Sequence, residues 1–109
     1  MAQTYYFLAA SDRFLQGHQA QEVLEERTRH YLAHSKAIDF WLVRTPAFLA
    51  VPEFADLRHR CPAPAAAVVS TDGQFILWLK HRLQYVLLGQ FEAPSAAIPD
   101  PLAVHTAAR

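Results

Sequence analysis

The stretch Asp39-Phe40-Trp41-Leu42-Val43-Arg44-Thr45-Pro46-Ala47-Phe48-Leu49 decides how this chain is built. Aromatic and β-branched residues dominate its first part, and no Gly or Pro interrupts it before Pro46, so it reads as a strand. Alternation places Ile38, Phe40 and Leu42 on one face and Asp39, Trp41 and Val43 on the other. Both faces carry a large aromatic, whereas a strand covering one side of a core usually shows one apolar and one polar face. The strand is therefore buried on both sides, or it keeps one face for a partner. Pro46 stops the ladder, and Phe48 and Leu49 continue the apolar surface in another geometry.

Working outward towards the N-terminus, the period changes to helical. Ala20, Val23, Leu24, Thr28, Tyr31 and Leu32 form a stripe within a helix spanning Ala20 to His34. Glu22, Glu25 and Glu26 near its start and Arg29, His30 and His34 near its end suit the helix dipole. Ser11-Asp12-Arg13 and Gly17 mark a loop, and residues 4–9 form the first strand. Towards the C-terminus, Pro52 opens a short helix over Glu53 to His59, and Arg60-Cys61-Pro62-Ala63-Pro64 ends it as a stiff linker. Ala65 to Val69 is a small-residue strand suited to a central position. Thr71 with Gln74 resembles a capping box for a helix over Asp72 to Leu83. Tyr85 to Leu88 is the last strand, with Gly89 at a bulge or at its end.

The order is β-α-β-α-β-α-β. Alternation alone suits parallel βαβ units, while strands this short suit an α+β sandwich. Residues 1–91 make the core domain. Residues 92–109 make an extended tail carrying Pro94, Pro99 and Pro101, either docked or disordered. Three modest helices would cover little more than one face of such a sheet, which leaves apolar area for a partner or a second copy.

Composition narrows the function classes. The 109 residues are 52% hydrophobic, with ten acidic and ten basic side chains. A balanced charge offers no footprint for nucleic acid or an anionic membrane surface. No apolar run approaches the roughly 20 residues of a membrane span, and no signal-peptide pattern opens the chain. The lone Cys61 cannot form an internal disulfide and suits a reducing compartment. A soluble single domain is expected.

Several clusters bear on chemistry. Glu26, His30 and His34 share a helix face, but no further ligand converges and zincin spacing is absent, so a charged solvent face explains them better. His59 near Cys61 lacks the third group of a nucleophilic site. Ser70-Thr71-Asp72-Gly73 at a strand-to-helix junction has one Gly and no P-loop Lys, so capping is favoured over phosphate binding. No active site, metal or cofactor is expected. The distinctive constellation is Asp39, Phe40, Trp41, Trp78 and Arg82. Arg82 lies one turn from Trp78 and can stack on its indole, a composition common in binding hot spots. The competing account makes these aromatics core and pairs Asp39 with Arg82 internally.

Longer blocks carry a resemblance. Thr4-Tyr5-Tyr6, Glu26-Arg27-Thr28-Arg29-His30-Tyr31, Ile38-Asp39-Phe40-Trp41-Leu42-Val43, Pro46-Ala47-Phe48-Leu49 and Cys61-Pro62 belong to it. So do Ala65 to Thr71, Trp78-Leu79-Lys80, Tyr85-Val86-Leu87, Ala93-Pro94-Ser95 and Ile98 to Leu102. The chain resembles the small accessory subunit of the aerobic magnesium-protoporphyrin IX monomethyl ester oxidative cyclase. That family was first catalogued as a hypothetical chloroplast reading frame and occurs in cyanobacteria, algae and plants.

The resemblance implies an antiparallel four-stranded sheet with three helices and a role without catalysis of its own. The implied partner is the di-iron subunit that closes the fifth ring of chlorophyll, followed by other enzymes of that pathway. Asp39, Phe40 and Arg82 are the implied partner-facing residues. The implied location is the cyanobacterial cytoplasm or plastid stroma, held at the thylakoid through the partner. Two rivals are a tetrapyrrole carrier using a His as axial ligand, and a small hydrolase built on His59 and Cys61.

Overall fold

The computed structural model describes residues 2–84 and 86–104. Four strands, β1 (Gln3–Ser11), β2 (Phe40–Arg44), β3 (Ala65–Ser70) and β4 (Leu87–Ala93), form one sheet in the order β2-β3-β1-β4. Every neighbouring pair is antiparallel, so the βαβ alternative falls and the α+β arrangement stands. The helices are α1 (Asp12–Gln16), α2 (His18–Ala33), α3 (Ala55–Arg60) and α4 (Gly73–Arg82), with 3-10 turns at Ala47–Ala50 and Pro52–Phe54.

β3 is interior to the sheet, as its small residues suggest, and Ala66 to Ser70 are fully buried. On one face, Phe7, Val69 and Phe91 lie beneath Phe48, Phe54, Leu57 and Cys61. The Phe48 ring centroid is 4.8 Å from that of Phe7 and 4.6 Å from that of Phe91. On the other face, Leu8, Phe40 and Val68 lie beneath Leu15, Val23, Tyr31, Phe75 and Leu79.

Both faces of the sheet are therefore covered, which corrects the expected surplus of apolar sheet. The second cover is built from α3, the two 3-10 turns and the C-terminal segment, none of which shows helical periodicity at useful length. Ile98 is buried in that layer. The Ala47 amide donates to the Ala103 carbonyl at 2.9 Å, and Pro46 pairs with Val104. The segment from 94 to 104 is docked, and the boundary expected at residue 91 falls inside β4.

Local differences have local causes. The stretch expected as a loop after Ser11 holds α1, capped by the Ser11 hydroxyl, which accepts from the Phe14 amide at 3.0 Å. Five residues are too few to show a period. The cap of α4 is Asp72 rather than Thr71, its carboxylate accepting from Gln74 N at 3.0 Å and Phe75 N at 3.4 Å. Gly89 neither bulges nor ends β4. It pairs with Phe7, whose ring occupies the space a Cβ would need. Tyr85, placed at the start of the last strand from sequence, lies outside the described residues.

Candidate functional site

α2 runs along the same face of the sheet as α4, and the cluster of interest lies where they meet the start of β2. α2 ends in a left-handed residue, Ser35 at φ 52°. The Lys36 amide donates to the Tyr31 carbonyl at 2.9 Å and the Ser35 amide to that of Leu32 at 3.2 Å, the paired bonds of a Schellman turn. This turn sends the chain back past Tyr31 into Asp39.

Asp39 is held from both its ends. Its carbonyl accepts from the Ser70 hydroxyl at 2.9 Å and from the Thr71 amide at 3.3 Å. Its carboxylate accepts from the Tyr31 hydroxyl at 2.8 Å and lies 3.9 Å from the Lys36 ammonium, with 27% of the side chain exposed. The buried Ser70 hydroxyl also accepts from the Asp72 amide at 2.9 Å, linking Asp39 to the start of α4. The Ser70-to-Gly73 junction thus serves capping and positioning.

Phe40 is 7% exposed and belongs to the core. It meets Tyr31 edge-on at 5.4 Å and Phe75 at 4.7 Å. Trp78 stacks beside Phe75 at 5.9 Å and is half-buried. The Arg82 guanidinium lies 5.1 Å from the Trp78 centroid, as the one-turn spacing suggested. Trp41 points through the opposite face and packs against the Phe48 layer. Four of the five residues singled out by sequence therefore share one region, and Trp41 does not.

The internal Asp39–Arg82 pair does not form. Arg82 instead lies 3.4 Å from Glu26, and its carbonyl accepts from the Gln19 side chain at 3.4 Å. Sequence reading missed Tyr31 as the partner of Asp39, although the helical stripe contained it. It also missed Arg27, whose guanidinium lies 5.1 Å from both the Phe75 and Trp78 centroids. The i, i+4 spacing from Arg27 to Tyr31 was the available signal.

Other candidates occupy different places. Cys61 is buried, and burial raises its thiol pKa, the reverse of what a nucleophile needs. His59 is exposed. His30 and His34 lie with ring centroids 4.3 Å apart, tilted by 39°, on the exposed side of α2, one turn beyond an exposed Glu26. A groove of about 540 Å³ runs between α4 and β4, lined by Tyr6, Gly73, Ile76, Leu77, Leu88 and Gln90 among others. A second, of about 390 Å³, lies between α2 and β2 over Leu24, Thr28, Phe40 and Leu42. Among the described residues no helix is long and apolar enough to cross a membrane.

The fold and this surface define a small α+β domain with a charged aromatic cluster where two helices meet one sheet face. The chain belongs to the Ycf54 family, whose model matches residues 3–93. It is 54% identical over 101 residues to a Ycf54-like protein of Synechocystis sp. strain PCC 6803, covering 92% of this chain and 76% of that protein. It is 41% identical over 93 residues to the chloroplastic YCF54 protein of Arabidopsis thaliana, covering 84% of this chain and 43% of that one. The crystal structure of the All0216 protein from Nostoc sp. PCC 7120 superposes with a TM-score of 0.89 at 59% identity, covering 97% of this chain and 99% of the other. Its relatives are thus cyanobacterial and chloroplastic proteins, and the solved Nostoc structure shares this fold.

Proposed function

We propose that this chain is a non-catalytic accessory subunit that binds the di-iron subunit of the magnesium-protoporphyrin IX monomethyl ester oxidative cyclase and supports fifth-ring formation at the thylakoid. Membership of the Ycf54 family and the resemblance in its motifs support the choice of partner. The observation that carries a binding role is the company the cluster keeps. Large apolar side chains stand exposed next in sequence to its members, Leu32 (70%) beside Tyr31 and Ile38 (40%) beside Asp39, while Leu77 (49%) lines the groove on the β4 side of α4. Exposed aliphatics next in sequence to aromatics and fixed charges support the reading of a protein-binding surface.

In this reading Trp78 supplies apolar area, while Asp39 and Arg82 set orientation. Phe40 supports that surface from the core. Trp41, on the other face, lies outside it. The carrier alternative would use the aromatic face with a His as axial ligand, and among the described residues no His lines the groove between α4 and β4 or the one over Phe40 and Leu42. Affinity capture from photosynthetic membranes, probed for the di-iron subunit, tests the proposal. Recovery with the wild-type chain and not with Arg82→Ala is expected. Equal recovery with both would remove the cluster from the interface, and no recovery with either would remove the function.

A further inference from the structure

Arg27 stands apart from the other cations of the cluster. Arg82 has Glu26 at 3.4 Å and Lys36 has Asp39 at 3.9 Å. Among the described residues no carboxylate comes within ion-pair distance of Arg27. Its guanidinium lies over rings instead, 5.1 Å from Phe75 and Trp78 and 5.4 Å from Tyr31. Rings attract the charge but cannot satisfy the planar fork of donors. The Nε atom is buried and has no hydrogen-bond partner. The terminal nitrogens of the guanidinium are not buried and have no hydrogen-bond partner among the described residues, and the aromatic walls hold the group in one orientation while the residue remains partly exposed.

We propose that Arg27 is the receptor for a carboxylate, a Glu or Asp side chain of the bound partner protein, which accepts from the terminal guanidinium nitrogens when the complex forms. This inference rests on the accessory-subunit reading above and adds the chemistry of the partner's contact. The exposed Leu32 and Ile38, next in sequence to Tyr31 and Asp39, favour a carboxylate presented by a protein surface. Arg82 adds a second positive charge on Trp78, 5.1 Å from the same ring. An acidic group placed there gains from both cations, and only Arg27 lacks a carboxylate of its own.

The test compares wild-type chain, Arg27→Met and Arg27→Lys for binding to purified di-iron subunit, with a melting curve for each. Met keeps the length and apolar stem while removing every donor. The expected result is that Arg27→Met melts at or above the wild-type temperature yet binds about tenfold or more weakly. Arg27→Lys, which keeps charge without the fork, should recover only part of the affinity. Unchanged binding by Arg27→Met would overturn the proposal. So would a loss of binding that merely follows a fall in melting temperature, because the guanidinium would then be a packing element. Failure of the wild-type chain to bind would remove the accessory-subunit reading and this inference with it.

Discussion

Phe40 shows what a single residue in a strand does and does not reveal. Alternation put it on the correct face, but alternation says nothing about what lies over that face. Tyr31 and Phe75 do, and their rings enclose it. Phe40→Ala should cost about 3–5 kcal/mol of folding free energy through the cavity it leaves, read as a lower denaturation midpoint. Stability within about half a kcal/mol of wild type would show that the ring is not core. Asp39 was legible as important because a carboxylate among apolar residues needs partners. Which partners it takes depends on the turn at Ser35, and left-handed geometry at a Ser carries little sequence signal. Arg82 was legible on Trp78 because the spacing is intrahelical. Glu26, its ion-pair partner, is distant in sequence and could not be read from spacing.

At the scale of elements, the long amphipathic helix, the all-aliphatic strand and the short helix opened by Pro52 were readable, while α1 and the turn at Ala47–Ala50 were not. α1 and the turn at Ala47–Ala50 are shorter than the window in which a 3.6-residue period becomes visible, whereas α3, equally short, was betrayed by Pro52 at its entrance. The former two are fixed by tertiary contacts. α1, for example, is tied to β2 by two bonds from Arg44 to the Asp12 carboxylate, at 2.9 and 2.8 Å. Those hydrogen bonds, more than charge alone, hold the Asp12 pKa below its ordinary value. A carboxyl whose folded pKa is depressed contributes stability above its unfolded value, near about 4, and loses it as pH falls through the folded value. Asp12→Asn should therefore melt below wild type at pH 7. The gap should close as both are titrated from about pH 5 to below pH 3. A gap of constant size across that range would mean that the ion pair carries none of the difference.

For the molecule as a whole, the number of strands and the α+β character were legible, but strand order was not, because periodicity identifies faces and not neighbours. The C-terminal segment was the larger omission. Its prolines and alanines show no period, yet Ile98 enters the core and Leu102 packs against it. Ending the chain at Ala93 should destabilise it by at least about 2 kcal/mol, the scale of burying one large aliphatic side chain. Denaturant melts that coincide with those of the full chain would show that the docked segment contributes nothing.

The proposed function assigns the partner to the charged aromatic region between α2 and α4. Its most direct test is the affinity of the purified chain for the di-iron cyclase subunit, wild type against Arg82→Ala. The Arg82 side chain is 43% exposed and its Glu26 pair is more exposed still, so losing it should move stability by no more than about 1 kcal/mol. Loss of an interface anchor should weaken binding by about 2–4 kcal/mol, roughly 30- to 1,000-fold. Such a loss with a nearly unchanged melting curve is the predicted result. An Arg82→Ala chain that melts several degrees lower yet binds the di-iron subunit as tightly as wild type would contradict it.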